Sequence, residues 1–136
     1  MNEALERAVK LFNQGKYLEA SEHLERISQD AEQPLKEIAS VLNRVAAALH
    51  LRFNRGSYQG SINLLSQALF AVEEIEMERY GIDREQLKMD LARMVEEIRS
   101  AGRERSGLKH QMRLFVERRR APKIKLYGTA GFRQKD

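Results

Sequence analysis

A chain of 136 residues with 42% hydrophobic and 32% charged side chains has the makings of one folded domain, burying about two thirds of the surface its unfolded form exposes. The absence of cysteine rules out disulfides, thiolate chemistry and cysteine-ligated zinc, and no apolar run reaches the ~18 residues of a membrane-spanning helix. The formal net charge of +4 is unevenly divided: residues 101–136 carry eleven basic and three acidic side chains, a net of +8, against −4 for the first hundred residues. An acidic body with a basic C-terminal arm is the reading.

The opening residues, Met1 to Arg7, lack the basic start and apolar run of a secretory signal, so a cytoplasmic location is expected. A first helix is predicted from about Asn2 to Asn13, with Leu5, Ala8, Val9 and Phe12 on one face. It runs into Phe12-Asn13-Gln14-Gly15-Lys16-Tyr17, and the same grammar returns 41 residues later as Phe53-Asn54-Arg55-Gly56-Ser57-Tyr58. In each copy a 3.6-period apolar pattern stops at the glycine and restarts after the tyrosine. That pattern specifies a helix, a tight turn and a second helix folded back on the first.

The second helix is predicted from about Lys16 to Ser28, with Tyr17, Ala20, Leu24 and Ile27 inward. After a polar loop over 29–33, Pro34 sits in the first turn of a long third helix reaching Asn54. The stripe of that helix is Leu35, Ile38, Leu42, Val45, Leu49 and Phe53. Its small centre, Ala46-Ala47-Ala48, admits close approach by a neighbour. A fourth helix runs from near Ser57 to a stop at Gly81, and Asp83 with Gln86 has the form of a capping box opening a fifth. Leu87, Leu91, Met94 and Ile98 form the fifth helix's buried edge, and Gly102 ends it.

A sixth helix is predicted over Leu108 to about Arg119, with Leu108, Met112 and Phe115 toward the body and Lys109, Arg113 and Arg118-Arg119-Arg120 on the other side. After Pro122 the alternation Lys123-Ile124-Lys125-Leu126-Tyr127 reads as an extended edge strand, and Gly131 to Asp136 as a loose terminus. The fold class expected is therefore all-α: two related helical hairpins and a fifth helix over residues 1–102, then a basic helix and tail over 103–136.

Gly15-Lys16-Tyr17-Leu18-Glu19-Ala20 followed by Leu24 resembles the middle of a tetratricopeptide repeat, although the 41-residue offset exceeds that repeat's ~34. The same residues with Glu25, and Ala46-Ala47-Ala48-Leu49-His50 further on, resemble the small all-α bacterial and archaeal family called domain of unknown function 309. The likeness covers roughly residues 5–75. It implies an all-α fold and a metal site formed by a histidine and a glutamate of the second helix. This chain keeps Glu25 but has Ser21 at the histidine position, Ser28 at an aromatic position and Ser40 at a glutamine position.

Apart from the resemblance, Glu19, Glu22 and His23 lie within one helical turn, and with His50 they could ligate a divalent ion. A solvated face with an i,i+4 charge pair accounts for the same residues. Glu73-Glu74 and Glu96-Glu97 read as surface, and neither a Gly-rich phosphate loop nor a Ser-His-Asp spacing is present, so no cofactor is expected.

The basic arm has three readings. Lys109, Arg113, Arg118, Arg119, Arg120, Lys123 and Lys125 could track phosphates while Tyr127 or Phe132 stacks on a base, since the guanidinium fork suits phosphate. The sixth helix could instead lie on an anionic membrane. Or its apolar side packs on the body and its charges answer the acidic helices. The expected function is a non-enzymatic interaction module whose arm binds nucleic acid, RNA before DNA, or an acidic protein. The alternatives are a metal-binding domain or metal-dependent enzyme using Glu19, His23, Glu25 and His50, and an adaptor whose inter-hairpin groove takes a peptide helix.

Overall fold

The computed structural model describes residues 2–102 and 108–126. Over them the chain forms six α-helices: α1 (Glu3–Asn13), α2 (Tyr17–Asp30), α3 (Leu35–Arg55), α4 (Gln59–Val72), α5 (Arg84–Ala101) and α6 (Leu108–Arg119). The fold is all-α. Each of α1 to α4 packs on the next in chain order, and α6 returns to α3. The predicted stripes supply the core: Leu5, Val9 and Phe12 from α1, Tyr17 and Leu24 from α2, then Ile38, Leu42, Val45 and Leu49 from α3 are all buried.

Asn2 caps α1 by accepting from the Leu5 amide at 2.8 Å, and Asp83 caps α5 by accepting from the Gln86 amide at 3.1 Å. Each bond satisfies one of the amides that a helix start leaves unpaired. At the first turn Gly15 takes φ +81°. There the Gly15 N–H reaches the Phe12 carbonyl and the Lys16 N–H the Leu11 carbonyl, both at 2.9 Å. Those two bonds close a Schellman turn, which needs a residue comfortable at positive φ. Gly56 repeats the device at φ +67°, with the Ser57 N–H reaching back to Leu51 at 2.9 Å.

Three expectations change. The fourth helix stops at Val72 rather than running to Gly81; residues 73–77 turn, and a 3-10 turn (Glu78–Tyr80) follows. The stretch beyond Val72 carries Glu73, Glu74, Glu76 and Glu78, charges that a helix C-terminus repels. Arg84 of α5 instead donates to the carbonyls of Glu73 and Ile75 at 3.1 and 3.4 Å, while Ile75 and Met77 turn into the core. Second, residues 123–126 make one isolated antiparallel bridge, Ile82 to Leu126, and no strand forms among the described residues.

The third change concerns α6. Met112 and Phe115, expected to face the body, are 60% and 61% exposed, whereas His110 and Glu117 are 3% and 5% exposed. The helix turns His110 and Glu117 inward and Met112, Phe115 and Val116 outward, with Lys109, Gln111 and Arg119 also exposed and Leu114 half-buried.

Candidate functional site

α6 docks on Arg52 and beside the pair of glycine turns. His110 and Glu117 are seven residues apart, two helical turns, and so share one side. Glu117 accepts from Arg52 Nε and Nη2, both at 2.8 Å, a bidentate pair with both side chains buried. Arg52 occupies a position on the buried stripe of α3, three residues after Leu49. His110 Nε2 lies against the Gly56 turn, 3.6 Å from where a Cβ would stand.

At the other end of α6, the Arg118 guanidinium lies over the Tyr17 and Phe53 rings, 5.9 and 5.8 Å from their centroids, and donates to the Gly15 carbonyl at 3.4 Å. Tyr17 packs edge-on against Phe12 at 5.2 Å and near Phe53 at 6.0 Å. Burial raises the Tyr17 phenol above its ordinary pKa, and the nearby Arg118 charge partly opposes that shift. The two echoed motifs thus converge on one end of the bundle, and α6 spans both.

Past α6 the arm runs between α1 and α5. Asn13 clamps Ile124 by donating from Nδ2 to its carbonyl and accepting from its amide, each at 2.8 Å. Arg93 of α5 donates to the Arg120 carbonyl at 3.1 Å, and Arg120 pairs with Glu97 at 3.0 Å. Ile124 and Pro122 are buried.

The predicted cationic residues therefore divide. Arg118, Arg120 and Lys123 each touch the body, Lys123 by donating to the Asn13 carbonyl at 3.4 Å. Arg119 lies over the Phe115 ring at 5.7 Å, on the outward face. Lys109 and Lys125 are exposed, and Arg113 is half-buried. Tyr127 and Phe132 lie outside the described residues. The outward face of α6 is a stripe of Met112, Phe115 and Val116, the last 51% exposed, with Arg119 in line and Lys109 on its flank.

The metal-site residues do not converge. Glu25 accepts from Asn43 Nδ2 at 2.8 Å and from Gln29 at 3.2 Å, and Ser21 donates to the Asn43 carbonyl oxygen. The partners of this exposed carboxylate are neutral amides. His23 lines a surface hollow with Arg7, Arg26 and Asp30; Glu19 is exposed, and His50 is half-buried on α3. Among the described residues no three His, Asp or Glu side chains are grouped to hold a metal ion. Nor is any helix among them long and apolar enough to cross a membrane.

Sequence reasoning missed Arg52 and Glu117, yet both carried a signal. An arginine sat in an apolar stripe, and Glu117 is the one carboxylate between residues 108 and 126. No protein-family model, curated protein or solved structure matches the chain.

Proposed function

We propose that this protein is a non-catalytic helical interaction module that binds an acidic protein segment on the outward face of α6. The carrying observation is the inverted helix. His110 and Glu117 are spent on the body, and Met112, Phe115 and Val116 are left in solvent beside Arg119 and Lys109. Exposing three large apolar side chains on one stripe forgoes about 1 kcal/mol each in burial, a cost that a partner's apolar face offsets. The cations beside the stripe select a partner with carboxylates flanking its apolar positions and speed the encounter.

Single-stranded nucleic acid, RNA before DNA, is the second reading, and one contact favours it. Phe115 with Arg119 over its ring resembles half of a base-stacking platform. With Arg118, Arg120 and Lys123 engaged by the body, Lys109, Arg113, Arg119 and Lys125 are left for phosphates, so a nucleic-acid complex should weaken with salt at a log–log slope of about −3.

Fluorescence anisotropy against an amphipathic peptide with leucines on one face and glutamates beside them, and against RNA and DNA oligonucleotides, separates the two. The acidic-partner reading expects the peptide to bind best and Phe115→Asp to weaken it at least tenfold with an unchanged melting temperature. Tighter RNA binding with the steeper salt slope transfers the assignment to nucleic acid. Binding of neither probe, or loss-free binding by Phe115→Asp, removes α6 from the function.

A further inference from the structure

The arm's path between α1 and α5 has the features of a complex rather than of a loop. Asn13 reads both main-chain groups of Ile124, donor to acceptor and acceptor to donor, as a neighbouring strand would. Arg93 takes a second main-chain carbonyl, that of Arg120, and Ile82 forms a bridge with Leu126. Bonds to main-chain atoms are indifferent to side-chain identity. Specificity then falls to Ile124, which is buried, and to the lysines either side of it, which point elsewhere because side chains alternate along extended chain.

The segment also underfills its groove. On the α5 side a cavity of about 300 Å³ remains, bordered by Asp83, Gln86 and Asp90. On the α1 side a hollow of about 530 Å³ remains, bordered by Glu6, Val9 and Asn13. Asp83 and Asp90 thus edge the α5 flank, where a cationic residue beside a buried aliphatic one would lie, while the α1 flank carries Glu6 together with Lys10.

We infer that the α1–α5 groove is a peptide-binding site, filled here in cis by residues 120–126, which also accepts in trans an extended segment alternating basic and aliphatic residues after a proline. This occupant is distinct from the acidic partner of α6, and the site stands whether or not that reading does. The chain's own segment acts as a tethered competitor. Tethering gives it an effective concentration of the order of millimolar, so a free peptide competes only when it binds more tightly or the cis segment is loosened.

The test uses a labelled peptide with the sequence of residues 120–126 and the full-length chain. Ile124→Asp places a charge where the aliphatic side chain is buried and should free the groove. This variant is expected to bind the peptide at least tenfold more tightly than the wild type does. Adding Asn13→Ala should lower that binding at least fivefold, and a peptide with aspartate in place of its isoleucine should not bind.

A folded Ile124→Asp chain that ignores the peptide overturns the inference. Should that variant not fold, amide exchange in the wild-type chain decides. The Ile124 amide, held by Asn13, should exchange at least threefold faster with excess peptide, and an unchanged rate overturns the proposal.

Discussion

Arg52 and Glu117 show why a buried ion pair should be read by what happens when it is broken. Both are withdrawn from water, and Arg52 Nη1 finds no acceptor among the described residues, so attraction and desolvation largely cancel. Breaking the pair is different, because it strands a buried guanidinium. Glu117→Ala should cost about 3–5 kcal/mol in a urea titration, whereas the double change Arg52→Met with Glu117→Leu should come within about 1 kcal/mol of the wild type. A double variant as unstable as the single one would mean that the pair contributes far more than geometry. Tyr17 offers a second residue-scale handle. Its pKa is raised by burial, so the folded state holds the phenolic proton longer than the unfolded state does. The stability linked to it is whole below about pH 10, the ordinary tyrosine value, and is lost as pH rises through the higher folded pKa. Tyr17→Phe should therefore flatten the fall of the melting temperature above pH 10. The wild-type slope in that variant would show that the phenol does not titrate with unfolding.

At the scale of elements, the two turns and the last helix behave oppositely as objects of sequence reading. The turns were legible because their signal is local: an apolar period interrupted by glycine constrains the backbone wherever the rest of the chain goes. At Gly15 and Gly56 an added Cβ would stand 3.7 and 3.6 Å from its nearest neighbour. Alanine would meet no clash there, only the strain of positive φ. Each Gly→Ala change is thus expected to cost about 1 kcal/mol in chemical denaturation, and a stabilised Gly15→Ala chain would contradict the turn geometry. The orientation of α6 was not legible, because its amphipathic pattern points one way and its dock demands the other. Met112 and Phe115 predict an inward face, but the body offers that helix a buried guanidinium and two glycine turns, which Glu117, His110 and Arg118 meet. The early end of α4 was missed for a related reason. Arg84, in the next helix, donates to the carbonyls of Glu73 and Ile75 just beyond the end of α4. Asn13 ends the first helix as its pattern predicts, but its grip on Ile124, 111 positions away, leaves no local trace.

For the whole molecule, the question is whether the +8 arm is an appendage or a part of the fold. Removing residues 118–136 takes away the buried Ile124, the Arg118 contact with two rings and the paired hydrogen bonds from Asn13. Burial of the isoleucine is worth about 2 kcal/mol, the guanidinium over the rings about 0.5–1, and each net hydrogen bond about 1. A loss of about 4–5 kcal/mol follows, and for a chain of this size it should lower the melting temperature by roughly 15–20 °C. The contacts among α1 to α5 are untouched, so the shortened chain should keep its helical circular dichroism at 20 °C. Charge adds a second signature. The arm's cations face an acidic body, with Arg120 and Arg93 both on Glu97, so part of the full chain's stability is electrostatic and screened by salt. Raising salt from 50 to 500 mM should therefore narrow the gap in melting temperature between full and shortened chains without closing it, because the Ile124 term does not depend on salt. Equal melting temperatures at every salt concentration would make the arm a solvated tail; a gap that salt leaves untouched would mean that its docking is apolar throughout.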